Sequence, residues 1–155
     1  MSELFDEVER GAWGGFIVTQ SKLFARIEDD LRKRFQLTHA EFEVLLRLNF
    51  APDGRARIQD LAAQSLLTRS GMSRAVARLA KAGHVERHDA AEDGRGSYAV
   101  LTASGRSHFM TAAKEHVALV RREFLTHFSR TELEQLAGFW DRISGRPARK
   151  RRKPR

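Results

Sequence analysis

The sequence predicts a mainly α-helical chain with one small β-hairpin. Three observations predict it. Apolar residues recur at helical spacing over residues 12–35, 38–50 and 104–128. Two short helical patterns, 57–67 and 69–82, follow each other across a tight link. The stretch "HDAAEDGRGSYAVLT", residues 88–102, then runs from a polar, glycine-containing segment into alternating apolar residues.

Each element has its own signal. In the helix over 12–35 the spacing rests on Phe16, Leu23, Phe24, Ile27, Leu31 and Phe35. Thr38 and Glu41 form a capping box, with Phe42, Leu45 and Leu46 as the stripe behind it. Pro52 and Gly54 in "APDGR" stop that helix. "RIQDLAAQSLL" is long enough for about two turns. "LTRSGMSRAVARLAKAG" gives a second short helix, with Thr68 as N-cap and Gly83 just past the end. Two short helices in tandem, the second basic, form a helix-turn-helix pattern. "HVERHD" and "SYAVLT" read as strands. The helix over 104–128 carries Phe109, Met110, Ala113, Val117, Val120, Phe124 and Phe128. Ser129 and Glu132 make a second capping box, opening a helix with Leu133, Leu136, Phe139, Trp140 and Ile143. Gly145 and Pro147 end it, and the basic tail 146–155 is expected to be disordered.

Composition excludes several function classes. The 155 residues contain no cysteine, so a disulfide framework, a thiolate zinc site and a cysteine redox sensor are all excluded. The start, "MSELFDEVER", has no basic region followed by an apolar run, so no signal peptide is expected. No stretch approaches the roughly 20 apolar residues that span a bilayer, and a cytoplasmic location is expected. The net charge of +8 is unevenly placed. Seven of the 28 basic residues lie in the last ten, leaving 21 against 20 acids in the body. Local charge is more telling. Arg55, Arg57, Arg69, Arg74, Arg78 and Lys81 face only Asp60 between residues 55 and 81.

The helix over 69–82 sorts its residues by face. Met72, Ala75, Val76 and Leu79 fall inward. Ser70, Ser73, Arg74, Ala77, Arg78 and Lys81 fall outward, short polar groups first and long cations later. A helix that reads DNA needs this layout, because its first turns meet base edges and its later cations meet phosphates. A solvated basic face is the plain alternative. Seven residues separate Asp89 from Ser97, too many for a two-residue turn. Gly94 and Gly96 free the tip, and Arg95 between them can project into a narrow minor groove. A phosphate cradle is disfavoured, since such a loop opens a helix and this one lies between two strands. Ser97, His88 and Asp89 could be assembled into a triad, but no nucleophile elbow accompanies them, and no enzyme is expected.

With these residues in view, the chain resembles the MarR family of winged helix-turn-helix transcription regulators. The resemblance is carried by "LTHAEFEVLLRL", "IQDLAAQSLL", "TRSGMSRAVARLAKAGHVER" and "EDGRGSYAVLTASG", within residues 37–105. His84 departs from it, standing where the family usually has an aliphatic residue. The resemblance implies a winged helix-turn-helix flanked by N- and C-terminal dimerisation helices, divided as 1–36, 37–103 and 104–145, with the tail 146–155. It implies a homodimer. The sequence supports that independently, because residues 12–35 and 104–144 carry more apolar surface than a domain of residues 37–102 could cover.

The expected function is that of a sequence-specific, ligand-responsive repressor of double-stranded DNA, reading a pseudo-palindrome. Ser70, Ser73 and Arg74 would face bases, Arg69, Arg78 and Lys81 phosphates, and Arg95 the minor groove. The alternative is a non-specific, architectural DNA-binding protein driven by the basic tail. The family often binds small aromatic acids or phenols between its dimerisation helices and the winged domain. Trp13, Phe16, His39 and Arg47 are the nearest residues here with suitable chemistry. Some members sense zinc. Here His108 and His116 lie two turns apart and His39 and Glu41 on another helix, but the usual i, i+4 pair is missing. No metal and no cofactor are expected.

Overall fold

The structure is a computed structural model that describes residues 4–65, 67–89 and 96–145. The hairpin tip with Arg95 and the tail 146–155 lie outside the described residues. The chain divides into two compact units, Met1–His116 and Val117–Arg155.

In the first unit, α1 spans Glu7–Phe35. It begins five residues before the position its apolar spacing suggests. The cause is a capping box: Asp6 accepts from the Glu9 N–H at 2.8 Å, and Glu9 accepts from the Asp6 N–H at 2.9 Å. Gln36 closes the helix in the left-handed region at φ 55°, and the N–H of Leu37 turns back to the Leu31 carbonyl. The helix α2 spans His39–Phe50 behind the expected Thr38–Glu41 box. Its buried face is Phe42, Val44, Leu45 and Leu48. Leu46, expected in the stripe, faces outward.

Three strands follow the order β1-β3-β2, all antiparallel, with β1 at Arg55–Arg57, β2 at Val85–Asp89 and β3 at Ser97–Leu101. The sequence suggests only the hairpin of β2 and β3. Strand β1 is three residues long, too short for an alternation to register. Between β1 and β2 lie α3, Ile58–Ala63, and α4, Arg69–Lys81. The expected inward set of α4, Met72, Ala75, Val76 and Leu79, is buried, and it packs with α2 around Val44, Leu45 and Leu48. Gly83 adopts φ 76° after α4, as a residue past a helix end does.

The helix α5, Ala103–Glu123, begins against the start of β2. Thr102 makes that junction. Its hydroxyl donates to the Gly83 carbonyl at 2.8 Å and accepts from the Gly105 N–H at 2.9 Å, and its N–H donates to the His84 carbonyl at 3.1 Å. The "LTASG" stretch is therefore a joint between sheet and helix. Further along, Phe109 of α5 meets Phe42 of α2 with ring centroids 5.5 Å apart.

In the second unit α5 ends at Glu123, before the expected residue 128. Phe124 leaves the helical region at φ −135°, and Leu125–His127 form a 3-10 turn. The apolar spacing survives the break, since the Phe124 and Phe128 rings lie 5.2 Å apart. Periodicity of this kind marks a face and not a helix end. The last helix, α6, spans Arg130–Ile143 behind the Ser129–Glu132 box. No residue of α6 is buried.

Candidate nucleic-acid interface

The outward face of α4 carries six of the seven residues expected to meet DNA. Arg69, Ser70, Ser73, Arg74, Arg78 and Lys81 are all exposed. Thr68 caps the helix by accepting from the Gly71 N–H at 3.1 Å, and its Oγ1 lies 3.2 Å from the Ser70 hydroxyl. The thirteen-residue helix is about 20 Å long. Its buried face fixes the rotation of the helix, so the polar face has one outward direction. Basic residues Arg78 and Lys81 sit in the last turn, where the helix dipole favours cations. Arg78 is also tied inward, its Nε donating to Glu41 of α2 at 2.5 Å.

The root of the hairpin adds cations that the expected site omitted. Arg57 and His88 both pair in register with Tyr98, and Arg55 pairs with Val100. The Arg57 Nε donates to the Tyr98 hydroxyl at 2.9 Å, while the Arg55 guanidinium lies 4.0 Å from the centre of the same ring. The basic run was visible in the sequence, but the partnership with Tyr98 spans 41 residues. The triad reading fails on the same sheet. His88 pairs with Tyr98 and Ser97 is the next residue, so Ser97 and His88 stand on opposite faces. Ser97 instead accepts from Arg87 at 3.1 Å.

The four residues suggested for a small ligand are dispersed. Trp13 and Phe16 have ring centroids 6.0 Å apart on α1. His39 lies against Phe24 at 4.5 Å and donates its N–H to Glu28 at 2.8 Å. Eight residues separate Phe16 from Phe24, about 12 Å along a helix. Arg47 is eight residues beyond His39 and pairs with Glu43 at 2.7 Å. A cavity of about 370 Å³ lies elsewhere, with Lys33, Arg34, Glu41, Arg78, His84 and His108 among its lining residues. Among the described residues, no three His, Cys, Asp or Glu side chains are grouped to hold a metal ion.

His84, the residue that departs from the family pattern, stacks on His108 at 4.4 Å and 8°. The Nε2 of His108 sits 3.0 Å from the Phe35 carbonyl, an acceptor only, so that nitrogen carries the proton. The Nδ1 of His84 is buried with no hydrogen-bond partner among the described residues. Burial pushes the His84 imidazole below its usual pKa, and the neighbouring His108 adds to the effect. His116, packed on Phe42, is lowered by burial and by His39, with Asp30 opposing.

Both groups hold a proton less readily folded than unfolded, so the unfolded chain takes up protons first as pH falls. Stability is expected to drop as pH falls below about 6.5, until the lowered folded pKa values are passed. Urea unfolding through this range checks it. His84→Leu should make the pH dependence shallower, and an unchanged dependence would show that His84 does not contribute.

The relatives of the chain sharpen the picture. A MarR family model matches residues 35–96. No curated protein sequence matches. AbsC, a MarR family transcriptional regulator from Streptomyces coelicolor, is 30% identical, with a TM-score of 0.83 over 91% of this chain and 95% of that one. The chain belongs to the MarR family. As a MarR-family protein it is a DNA-binding transcription regulator and not an enzyme. Sco3205 of the same organism, solved in complex with DNA, is 28% identical, with a TM-score of 0.84 over 90% of this chain and 88% of that one. The organohalide-sensing RdhR-CbdbA1625 regulator, in its 2,4-dichlorophenol-bound form, shares the fold at 16% identity and a TM-score of 0.77, over 92% of this chain and 82% of that one. Among the described residues, no helix of this MarR-family chain is long and apolar enough to cross a membrane.

Proposed function

We propose that this MarR-family chain is a cytoplasmic, ligand-responsive repressor that binds a pseudo-palindromic operator as a homodimer. Residues 37–103 would form the DNA-binding domain, residues 1–36 and 104–145 the dimerisation helices, and 146–155 a basic appendage. The observation that carries the reading is the two-faced helix α4. Its apolar side is buried, and its outward side presents serines and arginines to a groove about 12 Å wide. The DNA complex of Sco3205 supports the docking. The dichlorophenol held by RdhR-CbdbA1625 supports a small phenolic effector, with Trp13, Phe16, His39 and Arg47 as candidate contacts on one protomer or across two.

In this reading Ser70, Ser73 and Arg74 face bases, and Arg69, Arg78 and Lys81 face phosphates. Arg95 would enter the minor groove. The effector would act by favouring one spacing of the two DNA-binding domains. Arg74→Ala is expected to weaken operator binding by about 1–3 kcal/mol and relax preference at the base pair it contacts. Arg95→Ala should weaken binding to all sequences more evenly. Anisotropy titrations against a library of single-base operator variants separate the two patterns. Wild-type affinity in both variants would remove this docking geometry.

A further inference from the structure

Glu41 is the buried charged side chain among the described residues, 5% exposed. A charge in that position needs partners on both oxygens. The structure divides them. Oε2 accepts from the Thr38 N–H at 2.7 Å and from the Thr38 hydroxyl at 2.9 Å, closing the cap of α2. Oε1 accepts from Arg78 Nε at 2.5 Å, 37 residues away on α4. Held by Nε, the planar guanidinium has a fixed plane. Its two terminal nitrogens make no hydrogen bond among the described residues, and the side chain is 54% exposed.

We propose that Glu41 is a positioning residue that aims the Arg78 guanidinium at the DNA backbone. The inference rests on the reading above that the outward face of α4 meets DNA. The physical reason is pre-organisation. A free arginine loses many rotamers when it takes a phosphate, whereas one already held by Nε has lost them on folding. The one edge still open to two parallel N–H bonds, between the terminal nitrogens Nη1 and Nη2, is then held in place, which suits the bidentate geometry of phosphate recognition. The same carboxylate caps α2, so the arginine is referred to the rigid α2–α4 core and not to a loop.

Charge alone predicts the opposite result. Glu41→Gln removes one negative charge beside the DNA-facing surface, and the weaker coulombic repulsion of the phosphates would then tighten binding. Positioning predicts weaker binding. Glutamine at this position can still close a capping box by accepting from the Thr38 N–H. Its amide nitrogen is then left towards Arg78, donor against donor, and the tie is lost with the helix intact.

The test uses the full chain and a labelled duplex carrying the site that the wild-type chain selects from a randomised library. Binding is read by anisotropy over a series of salt concentrations. Arg78→Ala should weaken binding and lower the salt slope by about one. Glu41→Gln should weaken binding about threefold to tenfold. In the Arg78→Ala background it should weaken binding no further. Thr38→Ala, which damages the cap and leaves the Oε1 tie, should lower the urea midpoint but not the affinity. The inference fails if Glu41→Gln binds as tightly as wild type, or more tightly, while Arg78→Ala binds weakly. It also fails if Glu41→Gln costs as much without Arg78 as with it. If Arg78→Ala itself leaves affinity and slope unchanged, the phosphate role of Arg78 falls first, and the positioning role falls with it.

Discussion

Gly105→Ala is expected to destabilise the chain by about 3 kcal/mol, the upper part of the range for overpacking a tight site. A β-carbon at Gly105 would overlap the backbone carbonyl oxygen of His84. Backbone cannot turn aside as a side-chain tip can. The His84 carbonyl is also fixed in place, since it accepts from the Thr102 N–H, and Thr102 is tied in turn to Gly83. Relief therefore requires α5 to move off the start of β2. The normal helix preference for alanine over glycine works the other way, by about 1 kcal/mol, so a net loss isolates the clash. Urea unfolding measures it. A variant as stable as the wild type would mean that the joint between β2 and α5 yields easily. DNA binding should also suffer, because β2 runs from this joint towards the hairpin tip.

The Gly105 contact illustrates what the sequence could and could not disclose. "LTASG" is readable as part of a family pattern, but the reason for its glycine is a carbonyl 21 residues away. Local signals are legible. The boxes at Thr38–Glu41 and Ser129–Glu132 open α2 and α6, and the inward set of α4 is the buried set. Each depends on residues three or four apart, the range over which helical geometry acts. The box at Asp6–Glu9 is of the same kind, but it stands ahead of the apolar spacing over 12–35, with only a glycine, polar residues and Val8 between. What escaped was long-range or too short. Strand β1 exists because β3 offers it a ladder, and three residues carry no period of their own. The Glu41–Arg78 and Arg57–Tyr98 ties join residues that only the tertiary fold brings together. Glu41 was visible as a cap, but nothing in its neighbourhood showed that one oxygen was left over for an arginine.

The largest functional effect is expected from separating two copies of the chain. Along α1, Val8 is 80% exposed, and Trp13, Phe16, Ile17 and Val18 are exposed as well, with Phe5 just before the helix. On α6, Ile143 is 78% exposed, with Phe139 and Trp140 also exposed. Apolar side chains scattered singly would need no explanation, but this many exposed on two helices mark an interaction surface. The proposed two-fold dimer would cover the same face on both copies and would place two α4 helices against two half-sites. The doubly substituted Val8→Glu/Ile143→Glu chain should then sediment at the single-chain mass of 17.6 kDa, where wild type should show twice that mass. Both positions are on the surface of one chain, so its own core should keep its urea midpoint. Binding to a duplex with two half-sites should weaken about 10²- to 10⁴-fold, because the second contact is no longer intramolecular. Binding to an isolated half-site should not change. That contrast separates loss of pairing from damage to α4. If the variant remains a dimer, these faces are not what joins the copies. If it is a monomer that still binds the full site at wild-type strength, one copy reads the operator alone and the two-fold arrangement has no part in recognition.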